Sequence, residues 1–176
     1  YLSKLLIMKK LFKIFLIGLG YVGLPLAIEF SKYYEVVGFD LSIKRINSLK
    51  KGKDIKNEFD NNFDIKKNII YTSNIKDIKF SNFYIVCVPT PVFKSKKPNL
   101  NNLINACKII SSVIDSNDTV VFESTVFPTT TEKICLPIIE KKSNLKSNLG
   151  NNKYKNGFYL GYSPERINPG DKKNSF

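Results

Sequence analysis

The sequence predicts a doubly wound α/β domain, a parallel sheet of about six strands with helices on both faces. Two observations carry that reading. The strand-like segments are short continuous apolar runs, the pattern of strands buried on both faces, rather than alternating ones. Between them lie segments with apolar residues at helical spacing, so strand and helix alternate along the chain. With 176 residues, 43% of them apolar, the chain can bury the core of one domain.

The elements follow in order. "KIFLIG" (13–18) is an apolar run ended by Gly, a buried strand. "LPLAIEFSKYY" (24–34) is a helix with Pro25 in its first turn, where a missing N–H costs nothing. "EVVGFD" (35–40) is the second strand. "SIKRINSLKKG" (42–52) is a helix with Ser42 as N-cap and Gly52 as its stop. Residues 53–68 are polar and read as loop or irregular helix. "NIIYT" (68–72) and "NFYIVCV" (82–88) are strands three and four, with a short helix near 74–78 between them. "PNLNNLINACKIISSVID" (98–115) is a long helix after a Pro-rich loop, and "DTVVFES" (118–124) is strand five. "TTTEKICLPIIEKK" (129–142) is a helix that Pro137 kinks or shortens, and "GFYLGYS" (157–163) is strand six. The polar stretch 142–157, with its tandem KSNL, reads as a flexible surface insertion without a site of its own.

Composition narrows the function. A net charge of +13 first suggests nucleic acid, but only two of the 28 basic residues are Arg, at 45 and 166, and Lys is scattered. No nucleic-acid partner is therefore expected; a mildly attractive field for an anionic small molecule fits as well. There is no His, which removes Ser-His and Cys-His dyads and the usual zinc sites, and no metal is expected. Cys87, Cys107 and Cys135 are widely spaced in apolar surroundings and read as buried thiols of a reduced, cytoplasmic chain. "MKKLFKIFLIGLGYVGLPLA" from Met8 imitates a secretory leader, but Lys13 interrupts its apolar run. No uncharged apolar stretch reaches the roughly 18 residues of a membrane span. Residues 1–7 precede Met8 and read as a non-native or upstream extension of a domain at 8–176.

"GLGYVG" fits the pattern G-x-G-x-x-G with Gly18, Gly20 and Gly23, after a strand and at the opening of a helix. That context makes it a Rossmann-like dinucleotide site. Gly18 allows the tight turn, Gly20 lets a pyrophosphate approach the backbone, and Gly23 lets the helix pack on the sheet. Tyr21 and Val22 complete the loop and join the cofactor-binding set. Asp40 ends the second strand, twenty residues after Gly20, where an acid binds both ribose hydroxyls and favours NAD over NADP. The competing reading has Asp40 cap the next helix. Arg45, five residues on, is placed to stack on adenine or to hold a 2′-phosphate; the alternative is a solvated arginine on the helix surface.

"GLGYVGLPLA", "GFD", "VPTP", "ESTVFPTTTE" and "GYSPERINPGD" occur in this order. Together they resemble the UDP-sugar 6-dehydrogenases, nearest to the branch acting on UDP-N-acetylhexosamines for surface polysaccharide, over about residues 9–172. The resemblance implies oxidation of the sugar C6 alcohol to a carboxylate with two NAD+, through a cysteine-bound thiohemiacetal and a thioester that water cleaves. It implies that Thr90 lies against the cofactor and that Thr125 helps position the hydrolytic water, unless Thr125 merely caps the next helix. It implies acid–base work for Glu165, otherwise a salt-bridge residue, and a path for the sugar along Arg166, Ile167 and Asn168. Arg166 replaces an aromatic of the UDP-glucose branch and Pro169 replaces a second glutamate, and both departures favour the N-acetylhexosamine branch. In that family the nucleophilic cysteine, the central helix and the UDP-binding domain follow this region, so a chain ending at Phe176 is expected to be inactive alone. The full-length form is expected to be a homo-oligomer. Two other readings stay open: a free-standing NAD-binding module, and part of a UDP-glucose or GDP-mannose dehydrogenase.

Overall fold

Ile14, Phe15, Leu16 and Ile17 are each at most 3% exposed, so the first strand, β1 (Lys13–Ile17), is covered on both faces. The structure, a computed structural model, describes residues 12–55, 68–78, 81–150 and 152–164. After β1 come α1 (Gly23–Phe30), β2 (Glu35–Phe39), α2 (Ile43–Leu49), β3 (Ile69–Thr72) and β4 (Phe83–Val86). Then follow α3 (Asn101–Ile110), β5 (Thr119–Phe122), α4 (Leu136–Ser143) and β6 (Tyr159–Tyr162). The sheet order is β3-β2-β1-β4-β5-β6 with every pairing parallel. The chain thus runs outward from β1 to β3, returns to the middle, and runs outward again, leaving a crevice where the order reverses.

Alternation along β1 feeds two cores. Ile14 and Leu16 pack with Leu24 and Ala27 of α1 and Ile46 and Leu49 of α2. Phe15 and Ile17 point the other way, to Leu103, Ala106, Cys107 and Ile110 of α3 and Ile139 of α4. Phe15 also meets the ring of Tyr84 edge-on, at 5.9 Å between centroids.

The strands sit where the sequence predicts them, but three helices are shorter. α1 stops at Phe30 rather than Tyr34, because Lys32 and Tyr33 donate to the carbonyls of Glu29 and Phe30 in tight three-residue turns. α3 begins later because Val92 and Pro98 pair in a hairpin. It ends at Ile110, where the hydroxyls of Ser111 and Ser112 donate to Lys108 and Ile109 carbonyls. Pro137 has no N–H to give Lys133, and a π turn over Thr131–Cys135 precedes α4 in place of an α-helical one.

The described residues of the stretch 142–157 make specific contacts with their neighbours. Glu140 accepts the Ser147 N–H at 3.0 Å, Ser147 bridges Phe158 in parallel, and Asn148 N–H donates to the Phe158 carbonyl at 2.7 Å. Phe158 is fully buried, so the segment is tied to α4 and β6 by both polar and apolar contacts. No helix among the described residues is long and apolar enough to cross a membrane.

At the far end of the sheet from the crevice, Asp118 is 7% exposed and its Oδ2 accepts the Asp115 N–H at 2.8 Å. Burial raises its carboxyl above the ordinary aspartate range, only partly offset by hydrogen bonds from the Asp115 backbone and the Tyr84 hydroxyl. A raised folded pKa means that the native state binds the proton more tightly, so this group costs stability as pH rises through and above the ordinary value of about 4. Asp118→Asn keeps an acceptor for Asp115 and removes that cost. In thermal melts, the Tm of the variant relative to the parent chain should rise between about pH 4 and pH 7. A difference that stays constant across that range would contradict the assignment.

Candidate dinucleotide-binding site

The loop after β1 has no room for a side chain at two of its three glycines. Gly18 lies at φ +91°, and a Cβ there would come within 2.8 Å of the Cys87 carbonyl oxygen. Its N–H donates to the Phe39 carbonyl at 2.9 Å, so the turn is wedged between the ends of β2 and β4. At Gly23 a Cβ would fall 1.9 Å from the Gly18 carbonyl oxygen, which lets α1 start hard against the loop. At Gly20 a Cβ would meet nothing within 4 Å. The middle glycine is thus not demanded by packing within the protein, as expected of a backbone left open for a ligand. Val22 precedes α1 without a side-chain cap, and no acid occupies the first turn, so the helix N-terminus keeps its positive end towards the loop.

Asp40 stands directly after β2. Its Oδ2 accepts the Leu19 N–H at 3.1 Å and its Oδ1 accepts the Ser42 N–H at 2.9 Å. Ser42, not Asp40, caps α2: its hydroxyl accepts the Arg45 N–H at 3.2 Å. Asp40 therefore holds the glycine loop while still lining the crevice.

Arg45 is not a solvated surface residue. It is 1% exposed and does not line the cleft. Its Nε donates to the Leu19 carbonyl and its Nη1 donates to Asp54 Oδ1 at 2.9 Å.

The cleft has a volume of about 460 Å3 and runs from the glycine loop and Asp40 to the ends of β4 and β5. At that far end the Thr90 hydroxyl donates to the Thr125 carbonyl at 2.7 Å, clasping the two loops. Ser124 reinforces the clasp by donating from its hydroxyl to the Val88 carbonyl at 2.7 Å. Gly18, Gly20, Tyr21, Val22, Asp40, Thr90 and Thr125 all border this cleft, whereas Gly23 supports it from behind. A groove with an open glycine backbone, a helix N-terminus and a fixed carboxylate fits a dinucleotide.

Sequence reasoning missed other lining residues. Asn102, Asn105, Ala106 and Ile109 of α3 face the cleft. Their spacing marks a single helix face, and that signal was available in the sequence. The Asn102 side-chain amide donates to the Pro89 carbonyl at 3.0 Å, tying that helix to the rim. Cys87 is buried as expected, at 9% exposure, yet it follows β4 directly and borders the cleft. Cys107 and Cys135 are core residues, and the hydrogen bond of the neutral Cys107 S–H to Cys135, together with burial, drives the Cys107 thiol far up, away from the reactive thiolate. Glu165, Arg166, Ile167 and Asn168 lie outside the described residues.

Comparison with known proteins agrees with this geometry. Residues 12–176 match the UDP-glucose/GDP-mannose dehydrogenase family, NAD binding domain. A UDP-N-acetyl-D-glucosamine 6-dehydrogenase of Salmonella typhi is 49% identical over 162 residues, which are 92% of this chain and 36% of the relative. One from Pseudomonas aeruginosa is 45% identical, covering 92% of this chain and 37% of the relative. The solved UDP-D-ManNAc dehydrogenase of Pyrococcus horikoshii superposes with a TM-score of 0.77 at 34% identity, covering 90% of this chain and 37% of that one. The chain thus spans little more than a third of the relatives it matches. On a family match running from the first strand through the last, this chain belongs to the UDP-glucose/GDP-mannose dehydrogenase family and carries its NAD-binding domain.

Proposed function

We propose that this chain is the NAD-binding part of an enzyme that oxidises C6 of a UDP-N-acetylhexosamine to the uronate for surface polysaccharide biosynthesis. The observation that carries the substrate class is the 49% identity to a UDP-N-acetyl-D-glucosamine 6-dehydrogenase. The departures at Arg166 and Pro169 point the same way. A cytoplasmic setting, a homo-oligomeric full-length form and the lack of a nucleic-acid partner belong to the same proposal.

In this reading the backbone at Gly18, Gly20, Tyr21 and Val22 receives the pyrophosphate, with Gly23 letting α1 bring its N-terminus close. Asp40 accepts from the adenosine ribose hydroxyls. Thr90 packs beside the nicotinamide end, and Thr125, whose carbonyl Thr90 already holds, offers its hydroxyl to the hydrolytic water. Glu165 moves the proton in hydrolysis, and the backbone at Arg166, Ile167 and Asn168 runs along the sugar. Bound NAD+ supplies the hydride acceptor. None of the three cysteines serves as nucleophile: two are core residues, and Cys87 is almost wholly enclosed. The 176-residue chain should therefore bind NAD+ in calorimetry yet form no NADH with UDP-N-acetylglucosamine or its epimers. A rise in NADH absorbance from the purified chain would contradict this.

The second and third glycines of the loop differ in their effect on stability. Gly20→Ala adds a methyl in open space, so Tm should hardly move while NAD+ binding weakens about tenfold or more. Gly23→Ala forces α1 off the loop, so it should destabilise the fold by about 1–3 kcal/mol as well as weaken binding. Melting curves paired with NAD+ titrations of both variants separate the two roles.

Asp40 sets the choice of cofactor by repelling a 2′-phosphate. NAD+ should bind at least about tenfold more tightly than NADP+, or about 1.4 kcal/mol. Asp40→Asn should narrow that ratio, as competition titrations would read directly.

A further inference from the structure

In the proposed NAD site Asp40 accepts from the adenosine ribose, so the base of that nucleoside belongs to the same end of the cleft. α3 borders that end. Phe39, one residue before Asp40, shares an apolar cluster with Ala106 of α3, and Ile109 packs against that cluster. Phe39, Leu41, Val88, Ala106 and Ile109 all line the cleft. They offer apolar surface to a flat ring without selecting which ring. In a pocket of this kind a few placed polar groups make that choice.

The first turn of α3 supplies one. Asn102 borders the cleft and is tied to its rim, with Nδ2 donating to the Pro89 carbonyl at 3.0 Å. A carbonyl oxygen can only accept, so the amide nitrogen must be the atom that faces Pro89. The amide oxygen is thereby turned away from Pro89, and no described residue donates to it. Asn102 thus brings a held acceptor to the cleft. We propose that Asn102 is a specificity-determining residue for the base, its Oδ1 accepting from the 6-amino group of adenine. A 6-oxopurine sets its own carbonyl against that oxygen, acceptor to acceptor, and binds more weakly. Turning the amide over to suit such a base would put its oxygen against the Pro89 carbonyl. This rests on the assignment of the glycine loop and Asp40 as the NAD site.

The test titrates the 176-residue chain with NAD+ and with nicotinamide hypoxanthine dinucleotide, which carries a 6-oxo group in place of the amino group. The parent should bind NAD+ about fivefold more tightly than the analogue, or better. Asn102→Ala should bring that ratio to about one. A residue that merely braced Pro89 would weaken both ligands alike and leave the ratio standing. Asn102→Asp keeps an acceptor but cannot donate to Pro89, so it should bind NAD+ more weakly than the parent and still prefer it to the analogue. A parent that does not discriminate, or a folded Ala variant that keeps the parent's ratio, overturns the proposal. So does loss of the ratio in Asn105→Ala alone, which would move the reading of the base one turn along α3. Melting curves show whether each variant is folded. Should Asn102→Ala not fold, Asn102→Asp decides, and loss of its preference for NAD+ overturns the proposal. Failure of the parent to bind either dinucleotide would instead remove the cofactor assignment beneath it.

Discussion

The contact between Gly18 and Gly23 governs the cofactor end of this domain. With no Cβ on Gly23, the first turn of α1 sits against the Gly18 carbonyl, where a methyl would be 1.9 Å away. That approach aims the helix N-terminus at the crevice between β1 and β4. Gly18 itself is pinned between the Phe39 carbonyl and Cys87, so the loop cannot retreat from the sheet. Two atoms' worth of missing side chain thus fix the helix, the turn and the mouth of the cleft together.

Much of this was legible in the sequence because the constraints are local. A central strand buried on both faces must be an apolar run, and β4 is one, as are β1 and β2 after their exposed first residues Lys13 and Glu35. Ser42 and Gly52 bracket α2 as capping chemistry dictates. What was not legible depends on partners distant in the sequence. Arg45 has the spacing of a surface or adenine-facing residue, and it is buried among partners that include Leu19 and Asp54. The contacts of the polar stretch 142–157 with Glu140 and Phe158 are likewise not written in its composition. The ends of α1 and α3 were overestimated because serine and three-residue turns compete with the helix at bonds that apolar spacing does not report.

At the site the division is similar. The glycines and Asp40 could be placed from sequence because each answers a backbone requirement. The cleft-facing stripe of α3 depends on how that helix sits against the sheet, where Asn102 braces the Pro89 carbonyl at the rim. Cys87 was correctly read as buried, but burial beside a cleft differs from burial in a core, and only the fold tells them apart.

Asp40 links these levels. Each of its carboxylate oxygens already accepts one backbone N–H, from Leu19 and Ser42, so its rotamer is fixed before any ligand arrives. A carboxylate oxygen has a second lone pair, so ribose hydroxyls can be accepted without breaking either bond. Recognition then requires little further ordering of that side chain, and ordering is a main cost of binding. The same arrangement ties specificity to shape. The acid that would repel a 2′-phosphate is also a clamp on Leu19, so a change that relaxes cofactor choice also loosens the loop that holds the pyrophosphate. The carbonyl of Leu19 is held as well, by the Arg45 Nε, so the peptides on both sides of that residue have fixed partners.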